Sequence, residues 1–119
     1  MGRIMIYRVR LTRLVPKSSV EWYDGAYEEM DRLTFETKTI GHYHGVTLAR
    51  NAYCKTQAEC KQDPGCKYRG ALVVLESKIF DSDKEYEIDM DKWIREDKYF
   101  LQPGNEDLVE EWKIALDQI

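Results

Sequence analysis

No stretch of this chain stays apolar for the roughly 20 residues that a membrane span requires. Histidine is nearly missing. The two present, His42 and His44, confine any imidazole chemistry to one short segment. Cysteine is scarce and odd in number. Cys54, Cys60 and Cys66 cannot close into a complete disulfide framework, which points to a reducing, cytoplasmic compartment. The seven glycines are scattered, so there is no glycine-rich phosphate loop. No serine stands in a nucleophile-elbow motif. The opening MGRIMIYRVR alternates charged and apolar residues at once and carries no secretory signal.

Charge, by contrast, is abundant. Asp, Glu, Lys and Arg make up 34% of the 119 residues, and they sum to −4 at neutral pH. The 43% that are apolar still recur in runs, which is enough for one folded domain over residues 1–119. The charge is unevenly placed. Residues 1–20 hold five bases and no acid, a local +5, and residues 81–119 hold thirteen acids against five bases, a local −8. Such a surface either pairs internally or offers an acidic face to a basic partner.

Periodicity gives the element order. In RIMIYRVRLTRL, Met5, Tyr7, Val9 and Leu11 alternate with Arg8, Arg10 and Thr12, the pattern of a strand that Pro16 should stop. Ser18 and Glu21 have capping-box spacing. Trp22, Ala26, Met30 and Leu33 then recur as on a helix. TFETKTI and HYHGVTLA read as a strand pair around Gly41. Thr56 and Glu59 predict a short second helix, ended by DPG. YRGALVVLES is the best central strand, and EYEIDM reads as a strand with one acidic face. DKWIREDKYFL fits a short helix. Asn105 caps a last helix striped by Leu108, Trp112, Leu116 and Ile119. Trp22, Trp93 and Trp112 all fall on apolar stripes and read as core. The expected fold is α+β: a single-domain, mainly antiparallel sheet with helices packed on one face. A ferredoxin-like arrangement is its nearest named form.

The histidines sit in GHYHGVTLA. Residues two apart in a strand point the same way, so His42 and His44 would share a face with Ile40, Val46 and Leu48. Two imidazoles side by side can chelate a metal. The segment resembles the His-hydrophobic-His strand of the HUH endonucleases, which nick single-stranded DNA. That resemblance implies a divalent ion, manganese or magnesium, on His42 and His44 with Glu36 as third ligand. It also implies Tyr99, in REDKYFLQ, as the nucleophile that becomes joined to DNA. Gln102 stands where the family usually has a lysine. A further reading gathers zinc on Cys54, Cys60 and Cys66, although C-x5-C-x5-C spacing does not by itself turn two sulfurs toward one ion.

The leading expectation is a binding protein without catalysis. Glu85, Tyr86, Glu87, Asp89, Asp91, Glu96, Asp97 and Tyr99 interleave acids with aromatics, a surface able to mimic DNA. It would dock on a protein partner with a basic surface. Phage-encoded inhibitors of host defence are an analogous type. Nucleic acid is the partner only in the nicking-enzyme alternative, and no membrane is expected.

Overall fold

The computed structural model describes residues 3–23, 25–81 and 93–117. Among them the order is β1 (Arg3–Tyr23), β2 (Ala26–Tyr43), α1 (Val46–Gln62), α2 (Pro64–Arg69), β3 (Ala71–Asp81), β4 (Ile94–Leu101), a 3₁₀ turn (Glu106–Leu108) and α3 (Val109–Asp117). The strands form one sheet in the order β2-β1-β3-β4, and every neighbouring pair is antiparallel. The fold is α+β. Its two opening strands are consecutive, unlike the β-α-β-β-α-β order of the ferredoxin-like arrangement.

The helix expected over residues 18–33 is a β-hairpin. β1 continues past Pro16, which pairs with Leu33, and reaches Tyr23, which pairs with Ala26 across a two-residue connection. Gly25 in that connection has φ +84, open to glycine at no steric cost. Asp-Gly is the strongest short-range hairpin signal, and here it prevails over capping-box spacing. Pro16 is tolerated because its missing N–H lies on the flank facing away from β2. The neighbouring Leu14 carbonyl already points that way, accepting from Arg69 Nε at 2.9 Å.

The expected turn at Gly41 is a bulge. The register steps from Val9↔Gly41 to Arg10↔Thr39, so Ile40 is the extra residue and β2 runs unbroken to Tyr43. HYHGVTLA therefore does not form one strand. Helix α1 begins at Val46, after Gly45. It buries Ala49, Tyr53, Thr56 and Cys60, a 3.6-residue stripe. Thr56 lies inside this helix, its hydroxyl donating to the Ala52 carbonyl at 2.8 Å, and is not a cap. DKWIREDKYFL is also not a helix, since Ile94–Leu101 is the edge strand β4. The expected central strand and the Asn105 cap are both present; Asn105 accepts from the Asp107 N–H at 3.0 Å.

Helices cover both faces of the sheet, not one. Successive β3 residues point to opposite sides. Ala71, Val73 and Leu75 join Val9, Ala49, Tyr53, Cys60 and Cys66 under α1 and α2. Leu72 and Val74 join Leu14, Leu108 and Trp112 under α3. Trp112 anchors α3: its Nε1 donates to the Arg69 carbonyl at 2.7 Å, and its ring meets Phe35 edge-on at 4.9 Å. Its indole is 1% exposed, consistent with the core assignment. Among the described residues, no helix is long and apolar enough to cross a membrane.

Candidate functional site

α3 has only nine residues and covers one end of its sheet face. The rest of that face holds the alternating set from β1 and β3 that begins with Arg8, Arg10, Glu76 and Lys78. In the register, Arg8 lies opposite both Glu76 and His42. Arg10 lies opposite Val74, Arg95 opposite Glu76, and Lys98 opposite Val74. Paired residues share a face, so the long β1 and β3 strands gather these side chains on one surface.

The surface is organised around Glu76. Arg8 approaches Glu76 Oε1 with both Nε and Nη2 at 3.0 Å, and Arg10 Nη1 stands 3.7 Å from the same oxygen. Arg8 is 16% exposed and Glu76 15%, so this is a half-buried, charge-assisted bond tying β1 to β3. The Arg8 guanidinium also lies 4.0 Å over the Trp93 ring. The Lys78 ammonium is 5.9 Å from that ring, and the His42 ring is 6.1 Å from it. Trp93 is thus half-buried at a charged surface, not in the apolar core. Its Nε1 is buried with no hydrogen-bond partner among the described residues.

Between this patch and α3 lies a cleft of about 320 Å³. Phe35, Leu72, Val74 and Ala115 give it an apolar floor and wall, and Arg10, Glu76 and Arg95 give it a charged rim. Such a shape admits a flat ligand bearing negative charge. A strand of bases that stack while their phosphates meet arginine has that chemistry.

The sequence-predicted groups are dispersed. His42 and His44 are both exposed, but His44 lies beyond β2, in the bend before α1. Glu36 pairs with Arg13 and so faces the α1 side, opposite to His42. Tyr99 pairs with Val73, packs against the α1-side core, and carries the Lys61 ammonium 5.1 Å over its ring. Tyr99 and His42 therefore sit on opposite faces and on opposite edges of a four-stranded sheet. The geometry does not bring the proposed nucleophile to the proposed ion.

Cys54 stands apart from the other two cysteines, which are neighbours. Cys54 is exposed while Cys60 and Cys66 are buried. Six residues along a helix turn about 240° past a full circle, which puts Cys54 and Cys60 on different faces of α1. Burial pushes the Cys60 thiol up and the Cys66 thiol to about 12, the neighbouring Cys60 and Asp63 adding to the second shift. Among the described residues no group of three His, Cys, Asp or Glu side chains is placed to hold a metal.

Of the expected acidic surface, Glu85, Tyr86, Glu87, Asp89 and Asp91 lie outside the described residues. Glu96 is the extra residue of a β4 bulge and accepts a hydrogen bond from Ser77. Asp97 stands 3.8 Å from Arg50. The sequence reading missed the Arg8–Glu76–Trp93 patch because its members come from β1, β3 and the residue just before β4. The available signal was the alternation of Arg8 and Arg10 on β1.

No family model, curated protein or solved structure matches the chain.

Proposed function

We propose that this chain is a binding protein without catalysis, and that the charged patch and cleft beside α3 take single-stranded nucleic acid. One observation carries the reading. Arg8 lies over Trp93, Arg10 and Arg95 rim a cleft floored by Phe35, and Lys98 pairs with Val74 of that cleft, with Glu76 as the carboxylate among the described residues lining it. Aromatic rings on an antiparallel sheet stack bases, and flanking cations track phosphates. If Arg10, Arg95 and Lys98 neutralise three phosphates, log affinity falls with log salt at a slope of about −2.

A second reading keeps the acidic surface as a docking site for a basic protein partner, with DNA-mimic character. The acid-rich residues 81–119 favour it, as does the β4 bulge that sets Glu96 beside Asp97 on an edge strand.

Fluorescence anisotropy separates the two. A labelled single-stranded oligonucleotide and a labelled polylysine are titrated with wild type, Arg10→Glu/Arg95→Glu and Glu96→Lys/Asp97→Lys. The first reading expects oligonucleotide binding that only the arginine variant loses. Polylysine binding lost only in the Glu96/Asp97 variant would favour the second. An oligonucleotide affinity indifferent to the arginines overturns the first.

A further inference from the structure

The β1–β2 hairpin outruns the sheet. β3 pairs with β1 only as far as Arg13↔Ala71, yet β1 and β2 stay paired for ten further residues of β1. At about 3.3 Å per residue this arm extends some 33 Å. It accounts for much of the longest dimension in a molecule of 63 × 33 × 22 Å. Two-stranded ribbons are marginal in water by themselves, and from Val15 to Tyr23 the β1 flank has no strand partner among the described residues.

The polarity of that flank follows from the fold. Backbone groups alternate sides along a strand, and the register from Arg10 to Tyr23 contains no shift. The Leu14 carbonyl points away from β2, toward Arg69. The N–H and C=O groups of Ser18, Val20 and Trp22 therefore point outward too, as does the Pro16 carbonyl.

We infer that the β1 flank of this arm pairs antiparallel with the same flank of a second copy, about a twofold axis at Ser19. This register exchanges hydrogen bonds between Ser18 and Val20 and from the Trp22 N–H to the Pro16 carbonyl. Proline, lacking its own donor, ends the pairing there. It is also the register that sets Lys17 of one copy opposite Glu21 of the other, twice by symmetry. A twofold at Ser18 would set Lys17 opposite Ser19, and one at Val20 would set it opposite Tyr23. The β2 flank does not suit self-pairing. Its Glu28, Glu29 and Asp31 outnumber Arg32, so two copies would oppose like charges. The inference rests on backbone register and charge, independently of the nucleic-acid site proposed above.

The test is sedimentation across a concentration series, with charge variants as controls. Wild type should approach twice 14.1 kDa. Lys17→Glu alone and Glu21→Lys alone should each weaken dimerisation by about tenfold or more, since each opposes like charges at both symmetric pairs. The double variant Lys17→Glu/Glu21→Lys should restore it. An equimolar mixture of the two single variants should form a mixed dimer. Val20→Pro, which removes an outward donor and no β2 bond, should yield a folded monomer by circular dichroism. A wild-type monomer at every concentration overturns the inference. So does a dimer unaffected by either single charge change. A dimer that the single changes weaken but neither the double variant nor the mixture restores refutes the Ser19 register.

Discussion

Replacing Trp112 with phenylalanine keeps a ring in the α3 core but removes its donor. In the native fold that donor satisfies the Arg69 carbonyl at 2.7 Å, from an indole only 1% exposed. Leaving the carbonyl unpaired costs about 1–3 kcal/mol. The smaller ring leaves roughly 40 Å³ unfilled, which at ~24 cal/mol per Å³ adds about 1 kcal/mol. The expected loss is about 2–4 kcal/mol, a large share of a small domain's stability. In urea, with a slope of about 2 kcal/mol per molar, the midpoint should fall by about 1–2 M at unchanged slope. Trp112→Ala, which also removes the contacts with Phe35 and Phe100, should cost about 3–5 kcal/mol and release α3 from the sheet. Hydrogen exchange would then show α3 amides losing protection before those of β3. A midpoint shift below about 0.3 M for Trp112→Phe would refute the reasoning, because it would mean the indole is neither buried nor a needed donor.

Gly70 has φ +88, and an added Cβ would stand 2.7 Å from Trp112 Nε1 and 3.2 Å from the Leu101 carbonyl. Gly70→Ala should therefore destabilise by about 2–4 kcal/mol in thermal melting, and a neutral result would contradict the packing. Glu76→Gln removes the carboxylate shared by Arg8 and Arg10. It should tighten oligonucleotide binding severalfold in the anisotropy titration, at about 1–2 kcal/mol of stability. Unchanged or weaker binding would detach Glu76 from the ligand surface. Burial lifts the Tyr53 phenol, with a further push from Asp97, and the Cys66 thiol, both to about 12. The unfolded chain loses these protons first, from its ordinary 9.0 and 10.0, so stability is full below about pH 9 and declines toward pH 12. Urea midpoints that stay flat across that window would refute the assignment. Native-state thiol labelling should modify Cys54 alone, with Cys60 and Cys66 reacting only on unfolding.

Several elements were legible in the sequence because local chemistry fixes them. The alternation of Met5, Tyr7, Val9 and Leu11 specifies a strand wherever it lands. ALVVL, an unbroken apolar run, specifies a central strand. Asn105 caps a helix start by a bond to a residue two positions on. The α+β class, the central position of β3 and the basic face of β1 follow from such signals.

The hairpin arm shows where local signals compete. Ser18 with Glu21 and the spacing of Trp22, Ala26, Met30 and Leu33 favour a helix, while Asp-Gly at 24–25 favours a turn. Extension of β1 by its pairing with β2 decided in favour of the turn. Tertiary register decided the rest. The bulge at Ile40 reversed which side of β2 His42 occupies relative to Glu36, and the sheet placed Tyr99 on the far face. Proximity in sequence put His42, His44 and the cysteines together, whereas the fold keeps Cys60 beside Cys66 but sets Cys54 apart and places His44 beyond the end of β2. Residues 8, 76 and 93 share no local pattern, and only the β1–β3 register, with Trp93 leading into β4, brings their charges and ring within about 4 Å. The sequence by itself determined the elements that short-range sterics and hydrogen bonding can specify. Which side chains meet was decided by strand pairing, because one residue of register moves every side chain of a strand to the opposite face.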